Sequence, residues 1–404
     1  MCGVAAIFSN DNNLENQISK IINKISHRGP DDSGLNISKN LALGSCRLSI
    51  FDVSSNGKMP MIDSTNRYII VYNGAIYNFP EIKKKFNIHT KTNTDTEILL
   101  ELYVKKGAEC VKYFNGIFSF IIYDKVNNTI FCCRDRLGVK PLYYYWDNNT
   151  FIICSEIKGI HEIVNKSVNY NKLKTYLKTS FYDFGQETFY KNINQLEPAH
   201  YSIFDIKNKT NKITKYWELN NEAKLKISES TAIDELDNLI SNSFNLQIRT
   251  DTELGVNLSS GVDSQLMLSV LNKINNGQRN IQANSYYFED KKFSERDDLL
   301  CFSKEMGWKV GFIKVTPNDV AENFDSVFND QDGPFPGVPT IAKTLLIKRA
   351  YNSSCKVILE AQGGDDIAAG YKYVFANYLK DLIKNKDLRL FVSEFFKFKK
   401  IEEL

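Results

Sequence analysis

The sequence predicts two domains of different classes, a β-sandwich in the first half and a doubly wound parallel α/β sheet in the second. The 404 residues, of which 43% are apolar and 25% charged, provide enough length and core for two globular domains. Residues 2–215 contain short β-like runs separated by polar turns, whereas residues 225–404 alternate between helix-like and strand-like runs. The expected fold is therefore α+β followed by α/β.

Charge and cysteine usage exclude several function classes. The net charge is +3 and the basic residues are scattered, which gives no nucleic-acid-binding surface. No run reaches the ~18 apolar residues of a membrane span, and the N-terminus lacks the order of a signal peptide. Eight cysteines without regular spacing and only four histidines indicate reduced thiols and no transition-metal site. We expect a cytoplasmic protein without membrane or nucleic-acid partners.

The first half contains one clear helix among its strands. Its β-like runs are GVAAIFS, LALGSCRLSI, RYIIVYNG, GIFSFIIYD, TIFCCRD and TFIICSE. The run TDTEILLELYVKKG has helical spacing, with Thr94 as candidate N-cap and Gly107 as candidate stop. Asp95 then stands in the first turn, where a carboxylate either complements the helix dipole or binds a substrate ammonium.

Cys2 becomes the first residue once the initiator Met1 is removed. A terminal cysteine carries its own general base, because its α-amino group has a pKa of about 8 and can take the thiol proton. A cysteine at position 2 also occurs by chance in many proteins, so the position alone does not identify a nucleophile.

Two further segments carry groups suited to amide chemistry. Arg47 follows a strand, where its guanidinium either grips a carboxylate bidentately or forms a surface ion pair. The segment Tyr72-Asn73-Gly74 is expected to end the strand RYIIVY. An Asn side chain beside a glycine N–H suits an oxyanion hole, although Asn-Gly is also an ordinary turn.

In the second half, strands and helices alternate from residue 254 onward. The order is strand ELGVNLS, helix DSQLMLSVLNKI, strand IQANSYYF, helix SERDDLLCFSKEMG, strand WKVGFIKV, helix PNDVAENFDSVFND and strand KVILE. The loop SSGVDS, residues 259–264, lies between a strand and a helix, where such sheets bind ligands. Its small residues let backbone N–H groups approach a phosphate, and Asp263 suits a Mg²⁺ that bridges phosphate oxygens. An ordinary strand-to-helix turn is the alternative.

Eight ordered blocks in the first half carry a family resemblance: MCGVAAIF, HRGPDDSG, LGSCRLSI, YNGAIYN, NTDTEILL, NGIFSFIIYD, RDRLGVKPLYYY and SEIKG. Together they resemble the glutamine amidotransferase domain of the asparagine synthetase family. The resemblance implies an N-terminal-nucleophile (Ntn) hydrolase fold with αββα layers, in which Cys2 attacks the side-chain amide of glutamine. It implies that Asn73 and Gly74 stabilise the oxyanion. The glutamine-binding residues it implies are Arg47 for the carboxylate, Asp95 for the ammonium, and Ile50, Asn73 and Gly74.

Two loops in the second half extend the resemblance. SSGVDS is similar to the SGGxDS pyrophosphate loop of ATP pyrophosphatases, and EAQGGDDIAAGY, residues 360–371, is similar to the second loop of the same family. The resemblance implies ATP as substrate, with Mg²⁺ held through pyrophosphate by Asp263 and Asp365. The ATP-binding residues it implies are Leu258, Ser259, Ser260, Gly261, Asp263, Ser264, Tyr286, Glu360 and Ala361.

The resemblance also implies two coupled half-reactions. Glutamine hydrolysis in the first domain releases ammonia, which a tunnel would lead to an acyl-adenylate made from ATP and a carboxylate. The apolar run around RLGVKPLYYY is our candidate for packing along that tunnel. Family members often form homodimers, and nothing in the sequence decides for or against that assembly.

Four departures from the family pattern bear on function. Ala75 replaces a glutamate that helps to bind the substrate amine, so weak glutamine binding with a raised KM is expected. Gln362 replaces a glutamate thought to act as base during amide formation, and Gly333 stands where a glutamate is common. The chain ends at Leu404, without the later helical region and its pyrophosphate-contacting lysine. A natural short form, a fragment and dependence on a partner stay open.

The acceptor carboxylate stays open between aspartate, the family default, and a uronic acid of a bacterial surface-polysaccharide precursor. A glutamine in the position of Gln362 is familiar in amidotransferases of such polysaccharide pathways. The third alternative is a glutaminase, or a degenerate homologue whose second domain folds without activity.

Overall fold

The computed structural model describes residues 1–11, 13–219, 226–275, 280–368 and 370–402, with side chains described to residue 397. The chain forms two compact units, Met1–Glu253 with Pro317–Val357, and Leu254–Thr316 with Ile358–Leu404. Part of the predicted domain boundary, residues 220–225, lies outside the described residues, as does Leu404.

Every predicted run forms a helix or strand in the structure, and further helices and strands lie between these runs. In chain order the strands are β1 (Gly3–Ser9), β2 (Asp32–Ile37), β3 (Leu41–Arg47), β4 (Met61–Ile62), β5 (Tyr68–Ile76), β6 (Gly116–Asp124), β7 (Thr129–Arg134), β8 (Tyr143–Trp146), β9 (Thr150–Cys154), β10 (Ile193–Gln195), β11 (His200–Asp205), β12 (Thr210–Lys215), β13 (Glu253–Asn257), β14 (Ile281–Phe288), β15 (Val310–Val315) and β16 (Cys355–Leu359). The helices are α1 (Leu14–Lys24), α2 (Phe79–Lys85), α3 (Asp95–Lys106), α4 (Ile157–Ile160), α5 (Tyr170–Thr179), α6 (Glu229–Gln247), α7 (Val262–Asn275), α8 (Arg296–Glu305), α9 (Pro317–Asp330), α10 (Val338–Asn352), α11 (Gly364–Ala368), α12 (Lys372–Lys384) and α13 (Leu388–Glu402).

Two antiparallel sheets stacked face to face form the centre of the first unit. Among the described residues their strand orders are β10-β8-β9-β1-β3-β2 and β12-β11-β7-β6-β5-β4. Apolar residues from both inner faces, such as Val4, Val71 and Ile121, form one buried cluster between the sheets. Because side chains alternate along a strand, the neighbouring residues point to the outer faces, which helices cover.

A helical layer packs on each outer face of this sandwich. On one sheet, Ile18 and Ile21 of α1 pack in a buried cluster with Ile7 of β1. On the other sheet, Leu99 of α3 packs in a cluster with Phe120 of β6. The four layers confirm the predicted αββα arrangement.

Helix α3 begins and ends where its sequence predicts. The Thr94 hydroxyl accepts a hydrogen bond from the Glu97 N–H at 3.2 Å, which caps the first turn. Gly107 follows the last turn with a φ of +57°, a conformation that glycine adopts at little cost. These two ends fix Asp95 as the first residue of the helix.

A four-stranded sheet carries the predicted alternation of strands and helices. Its order among the described strands is β15-β14-β13-β16, and β13, β14 and β15 pair in parallel. The chain moves from β13 toward one edge and then returns to β16 on the other side of β13, which is the predicted doubly wound arrangement. The loops that follow β13 and β16 therefore meet at one edge of the sheet.

The first unit also contains part of the second half of the chain. Val327 and Phe335, which flank the turn between α9 and α10, form a small core with Ile341. The Asp332 carboxylate in this turn accepts hydrogen bonds from the Ile157 N–H at 2.8 Å and the Lys158 N–H at 3.2 Å, at the start of α4. A separate feature of the described helices is that none is long and apolar enough to cross a membrane.

Candidate active sites

Cys2 lies half-buried directly before β1. Pairing of β1 with β3 places Gly3 opposite Cys46, so the residues after β3 pass beside the thiol. The Cys2 Sγ accepts a hydrogen bond from the Leu48 N–H at 3.4 Å, and Arg28 Nε donates to the Cys2 carbonyl at 2.9 Å. The candidate nucleophile is therefore held by contacts from two segments of the chain.

Asn73 lies inside β5, so the prediction that Tyr72-Asn73-Gly74 ends its strand is wrong. β5 continues to Ile76, and Asn73 pairs with Ser119 of β6. The Asn73 side chain is 1% exposed, and its Nδ2 atom has no hydrogen-bond partner within the described structure. An unpaired buried donor costs about 1–3 kcal/mol, and this amide is available to donate a hydrogen bond to a bound ligand.

Strand alternation turns the Asn73 side chain toward the space between the two sheets, because Val71, two residues earlier in β5, belongs to the cluster that fills this space. Cys2 precedes β1 and packs against the cluster between β5, β6 and α3, which contains Tyr72, the neighbour of Asn73.

Gly74 explains why an Asn-Gly pair occurs in the middle of a strand. A Cβ atom at this position would lie 2.3 Å from the Ile117 carbonyl oxygen of β6. Any other residue would therefore push β5 and β6 apart beside Asn73. The pair that resembles a turn in the sequence is a point of close backbone approach in the fold.

Asp95 is buried at the N-terminus of α3. Its Oδ2 atom accepts hydrogen bonds from the Tyr72 hydroxyl at 2.7 Å and from the Ile76 N–H at 2.9 Å. Burial raises the pKa of Asp95 to about 6, although these hydrogen bonds and that from Thr96 favour the ionised form. Ala75, on the same stretch of β5, is buried and contributes a methyl group where the family resemblance has a carboxylate.

Arg47 is the last residue of β3, and its buried side chain already makes hydrogen bonds within the protein. Its guanidinium donates to the carbonyls of Ser54 at 3.0 Å, Phe51 at 3.1 Å and Asp52 at 2.6 Å. Three of the five N–H donors of a guanidinium are thereby used in the described structure, which leaves two for a ligand. Arg47 thus holds the following loop, and its binding of the glutamine carboxylate stays a prediction.

Residues 48–52, which we call the thiol loop, are anchored by the segment that leads into β13. The Ile50 carbonyl accepts a hydrogen bond from the Asp251 N–H at 2.9 Å. The Asp251 carboxylate in turn accepts from the Asp52 N–H at 2.8 Å. Ile50, predicted to bind glutamine, therefore lies in a loop whose backbone is fixed on both sides.

The predicted phosphate loop, residues 259–264, connects β13 to α7. The Ser264 hydroxyl accepts a hydrogen bond from the Ser259 N–H at 3.1 Å and so closes the loop. The Ser260 N–H donates to a carboxylate oxygen of Glu295 at 2.9 Å, while Gly261 is exposed at the start of the helix. A loop N–H thus already faces a negatively charged oxygen, as it would face a phosphate.

Asp263 and Asp365 lie together at the edge where the two loops meet. The Asp365 N–H donates to the Asp263 Oδ2 atom at 2.9 Å. A Cβ atom at Gly364 would lie 2.2 Å from Asp263 Oδ2, and one at Gly370 would lie 2.0 Å from Asp365 Oδ1. Glycine at both positions makes room for the two carboxylates.

These two carboxylates fit a Mg²⁺ that arrives with a nucleotide. Mg²⁺ in such sites is bound by one or two carboxylates together with phosphate oxygens and waters. In the part of the chain that the structure describes, no group of three or more His, Cys, Asp or Glu side chains is arranged to hold a metal. Asp263 and Asp365 are therefore suited to a shared, phosphate-borne ion rather than to a cage built by the protein.

Two family models match the chain. The glutamine amidotransferase domain matches residues 1–217, and asparagine synthase matches residues 235–399. A Methanocaldococcus jannaschii protein, provisionally assigned as glutamine-hydrolysing asparagine synthetase 2, is 34% identical over 95% of this chain and 78% of its own length. The chain belongs to the glutamine-hydrolysing asparagine synthetase family.

Further relatives match with lower identity. Asparagine synthetase 2 of Bacillus subtilis, a glutamine-hydrolysing enzyme by name, is 27% identical over 92% of this chain and 52% of its own length. Amidase chyE of Penicillium rubens is 23% identical over 94% of this chain and 61% of its own length. The chain thus spans between 52% and 78% of the length of these three relatives.

The asparagine synthetase resemblance places adenosine against four residues at the carboxyl ends of the strands. Leu258 follows β13, Tyr286 lies in the last part of β14, and Glu360 and Ala361 follow β16. A Glu360 carboxylate oxygen accepts a hydrogen bond from the Asn257 side chain at 2.8 Å. The fold therefore brings these predicted positions to one edge of the sheet.

The structure shows the surroundings of two residues that depart from the asparagine synthetase pattern. Gln362 is exposed in the loop before α11. Gly333 has a φ of +153°, and a Cβ atom there would lie 3.1 Å from the Phe189 ring. Because this backbone conformation strains a residue with a side chain, the usual glutamate does not suit Gly333 in this chain.

Four charged residues beside the candidate sites were not predicted from the sequence. Arg28 donates to a Glu156 carboxylate oxygen at 2.7 Å, which fixes the side chain that binds the Cys2 carbonyl. Lys140 is 8% exposed near the start of the chain, and Glu295 bonds to the phosphate loop. Three of these residues lie in the blocks HRGPDDSG, SEIKG and RLGVKPLYYY that carry the family resemblance, but their contacts join distant parts of the sequence.

Proposed function

We propose that this chain is a glutamine-dependent, ATP-consuming amidotransferase. The observation that carries the proposal is the buried Asn73 amide, whose Nδ2 atom has no partner among the described residues, together with the Cys2 thiol that packs against the cluster containing the adjacent Tyr72. The pairing of Asp263 with Asp365 at the phosphate loop supports the use of ATP by the same chain. Membership of the asparagine synthetase family supports the combination of both reactions.

In the first half-reaction, the α-amine of Cys2 accepts the thiol proton and Sγ attacks the amide carbon of glutamine. The Asn73 amide and the Gly74 N–H donate hydrogen bonds to the oxyanion that forms. The proton then passes from the amine to the leaving nitrogen, ammonia departs, and water hydrolyses the thioester to glutamate. Asp95 binds the α-ammonium of glutamine, and a remaining N–H of the Arg47 guanidinium donates to its α-carboxylate.

In the second half-reaction, the acceptor carboxylate attacks the α-phosphorus of ATP and pyrophosphate leaves. Backbone N–H groups of residues 259–264 and the N-terminus of α7 bind the phosphates. Ammonia then displaces AMP from the acyl-adenylate and forms the amide. Asp263 and Asp365 would hold a Mg²⁺ that offsets the charge of the departing pyrophosphate.

Aspartate is the acceptor that we propose first. The relatives from Methanocaldococcus jannaschii and Bacillus subtilis carry the name asparagine synthetase, which supports this choice. The product would then be asparagine, with AMP, pyrophosphate and glutamate released.

A uronic-acid carboxylate is the second candidate acceptor, and Gln362 is the observation that favours it. An amide side chain cannot take a proton from the attacking ammonia, so the chemistry at this loop differs from that of a glutamate. A sugar acid or its nucleotide-linked form would be activated by the same ATP loop.

The deciding experiment is pyrophosphate release from ATP and Mg²⁺, with ammonium or glutamine as nitrogen source. Aspartate is compared with uronic acids and their nucleotide-sugar forms. Release with aspartate supports an asparagine synthetase, and release with a sugar acid alone supports polysaccharide amidation. Glutamine hydrolysis without any pyrophosphate release would leave a glutaminase, and the absence of both activities would refute the proposal.

A further inference from the structure

Lys140 is a buried lysine in the loop after β7, and Asp135 fixes its position. The Asp135 carboxylate accepts hydrogen bonds from the backbone N–H groups of Leu137, Val139 and Lys140 at 3.1, 3.0 and 2.9 Å. Asp135 and Lys140 are only 1% and 8% exposed. Because the loop backbone is held at three points, the Lys140 side chain leaves it in a defined direction.

The Lys140 ammonium reaches the residue that precedes Cys2. Its Nζ atom lies 2.8 Å from the Sδ atom of Met1. Among the described residues its hydrogen-bond partner is this sulfur, a weak acceptor, rather than a carboxylate. Burial, reinforced by the charge of Arg28, lowers the pKa of Lys140 to about 8. A buried cation without a close counter-ion is costly, so its presence calls for a reason.

Several charges converge on the start of the chain. The titratable and charged groups that face this point from the surrounding elements are Cys2, Arg28, Cys46, Asp135 and Lys140. Burial, assisted by the charges of Arg28 and Lys140 and opposed by those of Cys2 and Cys46, lowers the pKa of the Met1 amino group to about 5. The Arg28 charge is balanced by Glu156 at 2.7 Å, whereas Lys140 has no such close ion pair in the described structure.

We propose that Lys140 is a positioning residue for the nucleophile: after removal of Met1, its ammonium keeps the α-amino group of Cys2 unprotonated and favours the thiolate. This inference rests on the proposed hydrolysis of glutamine at Cys2. A cation repels the protonated amine and attracts the thiolate, so one charge prepares both the base and the nucleophile. Because Lys140 itself loses a proton near pH 8, the effect is present at acid and neutral pH and fades above that value.

The test is the pH dependence of kcat/KM for glutamine hydrolysis, measured from pH 5 to 9 on protein whose lack of Met1 is verified by mass. In Lys140→Met, the α-amino group of Cys2 binds a proton more readily. The acid limb of the profile, where kcat/KM falls as this amine becomes protonated, therefore moves to higher pH by about one unit. Below both midpoints the variant is then about tenfold slower than the wild type, and above pH 8 the two converge to within about threefold. Lys140→Arg retains the charge and is expected to restore the wild-type limb.

Lys172→Met is the matched control. Lys172 is a buried lysine of the same unit, 3% exposed, whose Nζ atom donates to the Phe184 carbonyl at 2.6 Å. Lys172→Met removes a buried ammonium but leaves the charge near Cys2 unchanged, so the acid limb of the kcat/KM profile is expected to keep its wild-type midpoint. Superimposable acid limbs for Lys140→Met and the wild type would overturn the proposal.

A second readout separates this inference from the proposed function. An N-terminal cysteine condenses with formaldehyde to a thiazolidine, with loss of one water, and the reaction needs the neutral amine but no glutamine. We expect the pH midpoint of this rate to rise by about one unit in Lys140→Met. Wild-type protein without glutamine hydrolysis would refute the proposed function, whereas an unshifted thiazolidine midpoint would refute the role of Lys140.

Discussion

The glutamine-side residues and the nucleotide-side residues are held by the fold in different ways. Asn73 and Asp95 are 1% and 4% exposed and lie in or against the paired strands of the sandwich. Ser259 and Asp365 are exposed; Ser259 lies in the loop after β13, and Asp365 lies at the start of α11 after β16. The first set is buried in the fold, whereas the second set is exposed to solvent.

This difference follows from the chemistry that each set would perform. Attack on a neutral amide needs donors already aimed at the developing oxyanion, because their reorganisation would add to the barrier. A nucleotide instead brings several charges and a metal ion, which can organise exposed backbone N–H groups and carboxylates on binding. The costly buried groups are therefore expected on the glutamine side, where the unpaired Asn73 amide and the buried Asp95 carboxylate are found.

The largest effect is expected from Cys2→Ala. This variant tests whether the buried residues of the glutamine side act independently of the exposed residues of the nucleotide side. Removal of the only nucleophile of the first half-reaction should lower glutamine hydrolysis by about ten-thousandfold. Pyrophosphate release supported by ammonium should stay within about threefold of the wild type, because the exposed loops are untouched. Assays of glutamate and pyrophosphate on one preparation check both, and persistent glutamine hydrolysis would disprove the assignment of the nucleophile.

Asn73→Ala is expected to have the next largest effect. Loss of one oxyanion donor lowers kcat for glutamine hydrolysis by about 100–1000-fold, with a much smaller change in KM. The ammonium-dependent reaction serves as the internal control for folding of the chain. A large rise in KM with kcat unchanged would show that Asn73 binds glutamine without stabilising the oxyanion.

Asp263→Asn should impair the ATP-dependent reaction and spare glutamine hydrolysis, which is the reverse of the pattern expected for Cys2→Ala and Asn73→Ala. With one of the paired carboxylates neutral, ATP-dependent pyrophosphate release is expected to fall by about a hundredfold, while glutamine hydrolysis stays unchanged. Asp366→Asn is the matched control, since this exposed carboxylate is adjacent in sequence to Asp365, whose N–H donates to Asp263. Equal losses in the two variants would mean that general negative charge matters rather than the pair with Asp365.

The smallest effect concerns Asp95 and pH. Burial raises the pKa of Asp95 to about 6, so the carboxylate that we propose to bind the glutamine ammonium is ionised above that pH and neutral below it. KM for glutamine should therefore rise by up to about tenfold for each pH unit below 6, and in Asp95→Asn it should be high and independent of pH. Glu101→Gln, which removes another carboxylate of raised pKa from the same helix, is expected to keep the wild-type profile.

The same shift gives a linked stability prediction for Asp95. A carboxyl whose pKa is higher in the folded than in the unfolded protein favours folding in its protonated form. Its stabilising contribution is complete below the unfolded value of about 3.9 and is lost as pH rises through about 6. Denaturant titrations should show Asp95→Asn relatively more stable than the wild type at pH 8 than at pH 4.

Local sequence signals were enough for the nucleotide side and for α3. Thr94 and Gly107 mark the ends of the helix that positions Asp95, and the strand-to-helix alternation places Asp263 and Asp365 at one edge of the sheet. Each of these features depends on residues within a few positions or on a general rule of parallel sheets. Such features can be predicted from one sequence alone.

The geometry of the glutamine side was harder to predict from the sequence, because it comes from pairing between distant strands. Asn73 and Gly74 form a typical turn pair, and only the 2.3 Å approach of the Ile117 carbonyl shows why glycine sits within the strand. The Arg28–Glu156 ion pair joins segments 128 residues apart, and no local pattern marks it. Buried charges of this kind are satisfied by the tertiary fold, so their roles are visible only in the structure.

The most direct test of the central claim, that Cys2 is the nucleophile of a preformed glutamine site, is covalent mapping. The protein is treated with a glutamine analogue that carries a reactive diazoketone in place of the amide, and its N-terminal peptide is examined by mass spectrometry. The account predicts a peptide that begins at Cys2, without Met1, and carries one analogue, with labelling prevented by excess glutamine and absent in Cys2→Ala. Retained Met1 on active protein, or a label on another residue, would contradict it.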